Sequence, residues 1–258
     1  MKYNIAKGQK KGTIVFIHGN SSSSKVYKDI MVCPEIECSK ISLDLPGHGS
    51  NLEGYIHDED FSLINYRNKL IAFINAIDDD VLLVGNSLGG HLAIEISKDI
   101  KRLKGLVVFG TPPVKKPINL EEAFLPVAAL QTYLTENPTE EDIQSAMEVA
   151  VYDVKYANSL KEDFKKSNPK VRKAVFKAVS ENKFLDQFEM FVNLGIPKFI
   201  IAGSHDPSVN PEYLKMVSEA CNGNCELIHF ENCGHYSSLE NPKEFAETIN
   251  VVANKVFK

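Results

Sequence analysis

Nothing in this sequence is long and apolar enough to cross a bilayer, because no run approaches the roughly 18 consecutive apolar residues that a spanning helix needs. The lysine-rich start, Met1 to Gly12, has no apolar core of signal-peptide length either, which implies a cytoplasmic protein with no membrane partner. Nucleotide and flavin chemistry finds no anchor: there is no glycine loop followed by a P-loop lysine, and no G-x-G-x-x-G. Cysteine is scarce, with 5 residues, an odd count whose spacing fits no zinc site. Cys221 and Cys225 lie close together, but no second Cys or His pair completes a ligand set. All the cysteines read as reduced thiols, as a cytoplasm would keep them, and no metal or cofactor is expected. Charge of one sign is lacking too: 29 Lys and Arg against 34 Asp and Glu leave a formal charge of -5. That balance gives no electrostatic reason to bind nucleic acid. The sequence does not specify an oligomeric state.

What is present is an ordinary core-forming composition, 43% hydrophobic over 258 residues, enough for one α/β domain with a sizeable insertion. Short apolar runs alternate with amphipathic ones, which implies a mainly parallel sheet covered by helices. The strand candidates are Thr13–Ile17, Lys40–Leu45, Val81–Val84, Gly105–Phe109, Lys198–Ala202 and Glu226–Phe230. Between them the period changes to that of a helix. Leu63, Tyr66, Leu70, Phe73 and Ile77 share one face behind a cap at Asp60 or Ser62; Leu88, Leu92, Ile96 and Ile100 step by four. Asn210-Pro211 and Asn241-Pro242 each open a helix, Asn as cap and Pro in the first turn. From Phe109 to Lys198 no strand is evident. A capping box at Thr139 to Asp142 and the stripe Val171, Val175, Val179 mark a helical insertion over the sheet edge, 115–190, between core segments 1–114 and 191–258.

The chemistry-bearing residues fall at the carboxyl ends of strands, where sites in open α/β sheets lie. Gly85-Asn86-Ser87-Leu88-Gly89 is a G-x-S-x-G sequence at a strand-to-helix junction. A tight turn there lifts the serine hydroxyl clear of the sheet, and the flanking glycines leave room for it. His18-Gly19 follows the first candidate strand, and the backbone amide of Asn20, with that of Leu88, can form a two-donor oxyanion hole. The next residue, Ser21, is an equally placed alternative for the first of these donors. Asp206 follows Lys198–Ala202, and His235 follows Glu226–Phe230. A serine hydroxyl needs an imidazole to take its proton and a carboxylate to orient that imidazole. The chain order Ser87, Asp206, His235 is the one this strand arrangement requires. His18, His91, His48 and His205 read as structural or loop histidines.

These features resemble the α/β-hydrolase superfamily, in its cap-bearing branch of serine esterases and lactonases. The loop Asp44-Leu45-Pro46-Gly47-His48-Gly49 and the trailing Glu240-Asn241-Pro242 strengthen the likeness. The resemblance implies an α/β-hydrolase fold with a helical cap shaping the pocket, and a small-molecule ester-like substrate. It implies hydrolysis of a carboxylic ester, lactone or thioester of a small-to-medium apolar acyl group through an acyl-serine. Phe124, Leu125 and Phe188 are candidate pocket residues; Leu130, Tyr133, Phe184 and Phe191 could join them or simply pack the cap. Two rival readings share the fold: hydrolysis of a carbon–carbon bond in a dienoate-type diketone, and a slow-turnover ligand sensor. The first requires an arginine facing the pocket, for which Arg172 is the sole candidate in the insertion.

Overall fold

The central strands are aliphatic runs buried on both faces, which only a sheet with helices on each side can satisfy. The computed structural model describes all residues, Met1–Lys258. Its strands are Lys2–Ala6 (β1), Lys10–Ile17 (β2), Cys38–Asp44 (β3), Val81–Asn86 (β4), Leu103–Phe109 (β5), Lys198–Gly203 (β6) and Cys225–Phe230 (β7). They form one sheet in the order β1-β3-β2-β4-β5-β6-β7, parallel throughout except that β1 runs antiparallel to β3. The helices are Lys28–Val32 (α1), Leu63–Asn75 (α2), Leu88–Ile96 (α3), Leu120–Ala123 (α4), Glu140–Ala150 (α5), Ala157–Lys166 (α6), Lys170–Ser180 (α7), Gln187–Val192 (α8), Pro211–Ala220 (α9), Ser237–Glu240 (α10) and Pro242–Val256 (α11).

Alternation along the strands divides the core in two. Val15, Ile17, Leu83, Val108 and Ile200 face a cluster with Tyr66 of α2, Leu92 of α3 and Leu214 of α9. Ile14, Phe16, Val84, Phe109 and Ile201 face the other way, onto Ile30 of α1 and Phe245 and Ile249 of α11.

All the expected strands are present, and β4 runs on to Asn86, so Ser87 follows it directly. β1 was not expected. It is an edge strand with Tyr3 and Ile5 about half exposed (50% and 47%), so it has no buried face to betray it. Ser62 caps α2, Asn210 caps α9, and the Thr139–Asp142 box caps α5. In α2 it is Ile74, not Phe73, that completes the fully buried stripe. Asn241 corrects an expectation. Its side chain makes no cap; it donates to the Glu231 carbonyl, while its N–H is still held by Ser237 at the end of α10.

Between β5 and β6 lies the helical insertion, α4 to α8, with no strand in it. It crosses the carboxyl edge of the sheet: the Asn168 N–H donates to the Gly47 carbonyl at 2.8 Å, and Asn20 Nδ2 donates to the Tyr133 carbonyl at 2.7 Å. No helix is long and apolar enough to cross a membrane. All five cysteines are free thiols.

Candidate active site

Ser87 occupies a backbone conformation (φ 50°, ψ −121°) that a side-chain-bearing residue adopts only when its surroundings force it. Those surroundings are crowded. A Cβ on Gly85 would stand 2.5 Å from the Gly90 Cα, and one on Gly89 would stand 2.2 Å from the Ile17 carbonyl oxygen. The Ser87 N–H donates to the Phe109 carbonyl at 2.9 Å, and the Thr111 hydroxyl donates to the Ser87 carbonyl at 3.0 Å. The turn is thus clamped between β4 and the end of β5, with Ser87 immediately before α3.

Asp206 and His235 meet across the loops after β6 and β7. His235 Nδ1 lies 2.8 Å from Asp206 Oδ2. The other carboxylate oxygen, Oδ1, accepts from the Ser208 N–H (2.9 Å), the Ser208 hydroxyl (2.7 Å) and the Val209 N–H (3.3 Å). The His235 backbone is fixed on both sides: its N–H donates to the Ala150 carbonyl at 2.9 Å, and its carbonyl accepts from Asn86 Nδ2 at 3.1 Å. The ring rests on Gly110, where a Cβ would stand 2.7 Å from Cε1 and the backbone is left-handed (φ 57°). Gly110 follows the very carbonyl that holds the Ser87 N–H, so the imidazole and Ser87 are neighbours at one strand end. Ser87 Oγ and His235 Nε2 form no hydrogen bond here; such bonds are commonly loose before substrate arrives.

Burial of the His235 ring disfavours its charged form, but the charge and hydrogen bond of Asp206, with Glu240 adding to them, outweigh it and raise its pKa above the usual histidine value. Burial likewise pushes the Asp206 carboxyl up, and the His235 ring and the Ser208 donors more than offset it, so it is held below the usual carboxylate range.

The loop after β2 passes directly against the serine: a Cβ on Gly19 would stand 3.1 Å from the Ser87 Cβ. The Asn20 and Leu88 N–H groups have no acceptor within the protein, whereas the Ser21 N–H donates to His48 Nε2 at 3.0 Å. His18 and His48 are both buried and support this loop. His18 Nδ1 bonds the Gly19 carbonyl (2.7 Å) while its Nε2 accepts from the Leu45 N–H (3.0 Å). His48 Nδ1 bonds the Pro46 carbonyl (3.0 Å), and burial pushes its pKa down to about 3. Asp44 ties the same region together, accepting from the Ser24 and Ser50 N–H groups.

The remaining candidates have varied surroundings. His91 bonds Gln187, and its ring lies 6.2 Å from Phe124 and 5.4 Å from Phe184. Leu125 is 39% exposed, its N–H bonded to the Ser208 carbonyl, and Phe188 sits under Lys115. Tyr133 is brought to the hydroxyl of Tyr236, beside His235. Leu130 packs with the second core cluster, and Phe191 is fully buried. His205 stacks on Tyr152 at 4.5 Å, and Cys233 is a fully buried small residue. Arg172 is engaged by acceptors within the protein. It is buried over the Phe164 ring and bonds the Thr135 and Glu136 carbonyls and the Ser21 and Ser167 hydroxyls.

The roles of three residues were not recognised from sequence. Glu240 is buried, and its carboxylate accepts from the Gly234 and Tyr236 N–H groups on either side of His235 and from the Tyr152 N–H of the insertion. Glu95 and Gln187 form a buried polar line behind His91. Glu95 was findable: it is the one Asp, Glu, Lys or Arg in the wholly buried α3. No group of three or more His, Cys, Asp or Glu side chains is arranged to hold a metal ion.

A mostly parallel sheet with a strained serine turn after its central strand β4, a histidine–carboxylate pair beside that turn and a helical insert across the strand ends defines an α/β hydrolase. Residues 14–248 match the alpha/beta hydrolase family, and the chain belongs to it. It is 23% identical to a Mycoplasma pneumoniae protein provisionally named an esterase/lipase, over 96% of this chain and 93% of that one. It is 22% identical to the Mus musculus monoacylglycerol lipase ABHD6, over 93% of this chain and 74% of that one. Among solved structures, an N-acyl homoserine lactonase, AidH, in complex with N-hexanoyl homoserine lactone matches with a TM-score of 0.84 at 23% identity, covering 98% and 93% of the two chains. The esterase RhEst1 from Rhodococcus sp. ECU1013 matches with a TM-score of 0.78 at 19% identity, covering 98% and 94%. Likeness at that level of identity speaks to fold.

Proposed function

We propose that this protein is a serine hydrolase that cleaves a carboxylic ester, lactone or thioester of a small-to-medium apolar acyl group through an acyl-serine intermediate. The observation that carries this reading is the Asp206–His235 pair, at 2.8 Å, placed beside the strained turn of Ser87. His235 bonds Asp206 through Nδ1, which leaves Nε2 as the base that takes the Ser87 proton. Ser87 Oγ attacks the scissile carbonyl, and the Asn20 and Leu88 N–H groups, free of protein acceptors, receive the oxyanion. The engagement of the Ser21 amide by His48 favours Asn20 as the donor from that loop. The imidazolium then protonates the leaving alcohol, and water, activated by the same ring, releases the acid.

Family membership and the named esterase, lipase and lactonase relatives support the ester or lactone bond as the target. The carbon–carbon alternative loses its cation, since Arg172 is spent on carbonyls and hydroxyls inside the protein. Hydrolysis of short-chain p-nitrophenyl esters tests the proposal. Steady turnover abolished by Ser87→Ala supports it; a single burst followed by arrest would instead identify a sensor.

A further inference from the structure

Helix α3 carries a polar line that ester cleavage by Ser87 does not use. Glu95 Oε2 pairs with Arg67 at 2.9 Å, and Glu95 Oε1 accepts from the Leu185 N–H (2.8 Å) and from Gln187 Nε2 (2.9 Å). A carboxylate paired with arginine can only accept, so the Gln187 amide must turn its NH2 toward Glu95. Its carbonyl Oε1 therefore faces the other way, 2.7 Å from His91 Nδ1. That oxygen can only accept as well, so the His91 proton sits on Nδ1. Burial pushes the His91 pKa down to about 4, so the ring is neutral near pH 7. Its Nε2 is then a bare acceptor.

That acceptor has no partner in the protein and is not sealed from solvent, so it opens onto the space in front of a ring that is otherwise only 9% exposed and is flanked by Phe124 and Phe184. A ligand that displaces solvent from this nitrogen must supply a donor in its place or leave the acceptor unpaired between two aromatic rings, at a cost. The place is next to the reaction. His91 lies one helical turn beyond Ser87, and helical side chains lean toward the N-terminus, so the ring leans back over the turn that begins at Ser87. It is also close enough to His235 to feel its charge.

We propose that His91 Nε2 is a specificity-determining acceptor, and that the preferred substrates are esters or lactones bearing an N–H or O–H donor on the carbon next to the scissile carbonyl. This rests on the assignment of Ser87 as nucleophile. Side chains one turn apart on a helix are about 5–6 Å apart at their Cβ atoms. A donor nitrogen on the α carbon stands about 2.5 Å from the carbonyl carbon and a hydrogen bond adds about 2.9 Å, a span short enough to lie between an acyl group on Ser87 and a side chain one turn along the helix. Gln187 and Glu95 are positioning residues: they set the tautomer that makes Nε2 an acceptor.

The test compares methyl N-hexanoylglycinate with methyl 4-oxononanoate, which differ only in N–H against CH2 and each carry a single ester, by methanol release corrected for each ester's rate with hydroxide. The wild-type enzyme should favour the N–H ester by about tenfold in kcat/KM, the scale of one net hydrogen bond. His91→Phe should bring the ratio near one, His91→Gln should recover part of it, and Gln187→Met should lower it without touching the substrate site directly. A wild-type ratio near one, or a ratio unchanged in folded His91→Phe, overturns the proposal. If His91→Phe does not fold, the wild-type ratio and Gln187→Met decide the matter alone. Methanol release that survives Ser87→Ala is a different failure, since it removes the nucleophile and this inference with it. Release that depends on Ser87 but ignores the N–H removes only the inference.

Discussion

Replacing Asp206 by Asn alters one charge and almost no volume, and the neighbouring donors dictate which way the new amide turns. Oδ1 faces the backbone N–H groups of Ser208 (2.9 Å) and Val209 (3.3 Å), which cannot turn away. The oxygen of asparagine must stay there, so its NH2 group faces His235 Nδ1. An NH2 group opposite Nδ1 requires that nitrogen to be bare, and the ring proton moves to Nε2. The nitrogen that should accept the serine proton is then already occupied. The expected loss in kcat/KM is on the order of 10⁴, the scale known for this exchange in a serine triad, or about 5 kcal/mol of transition-state stabilisation.

The same substitution removes the influence that lifts the His235 pKa over the cost of burial, so the variant's ring should be neutral at pH 7. A variant that is neutral yet slow separates the wrong tautomer from simple protonation. Steady-state hydrolysis of p-nitrophenyl butyrate between pH 5 and 9 provides the rates, and far-ultraviolet circular dichroism checks that the fold is kept. The Ala150 and Asn86 contacts that hold the His235 backbone do not involve Asp206. Retention of more than about a tenth of wild-type kcat/KM, a loss under roughly 1.4 kcal/mol, would show that another carboxylate orients the ring and that this reading of Asp206 is wrong.

A fluorophosphonate probe should label Ser87, as read by peptide mass spectrometry, and Ser87→Ala should abolish both labelling and turnover; a label on any other residue of active protein refutes the assignment. Because only neutral His235 accepts a proton and its pKa is raised, kcat/KM should climb with pH through one ionisation whose midpoint lies above the ordinary value of about 6.5. A flat profile from acid to neutral pH, or a midpoint below that value, counts against His235. Glu240→Gln sets an NH2 group against one of three N–H donors, which should lower stability in urea by about 1–3 kcal/mol and shift the pH midpoint downward. An unchanged midpoint would mean that Glu240 does not act on His235. His205→Gln, at an exposed ring stacked on Tyr152, should leave the rates unaltered.

How much of this was legible in the sequence depended on whether a residue's role is local. Ser87 is marked by its own neighbours, because a turn that tight needs glycine at 85 and 89. Asp206 and His235 are marked by the strands they follow. The central strands announced themselves through burial on both faces, whereas β1, half exposed at the sheet edge, carried no such pattern. Asn241 looked like a cap in sequence because Asn-Pro so often opens a helix, but α10 ends on that residue and holds its backbone. Glu240, Gln187 and the Ser21–His48 bond were out of reach for a different reason. Each depends on a partner more than twenty residues away or on a loop conformation, and residue type alone does not specify either.

The insertion is tied to the catalytic loops through its backbone, and this bears on how specificity and rate can vary. The Ala150 carbonyl and the Tyr152 N–H grip the His235 loop, one directly and one through Glu240. The Tyr133 carbonyl holds the Asn20 side chain, and Arg172 reaches from α7 to the Ser21 hydroxyl. The proposed base and the proposed oxyanion loop are therefore both anchored to the insertion. A side-chain change at Phe124 or Phe188 leaves these backbone anchors in place and should act mainly on which acyl group binds. A change that displaces the backbone near Ala150 or Tyr133 moves His235 or the Asn20 amide as well, and proton transfer and oxyanion binding depend on placement within fractions of an ångström. Substitutions of the first kind should move KM across an acyl series with kcat nearly constant, and those of the second kind should lower kcat for every substrate alike.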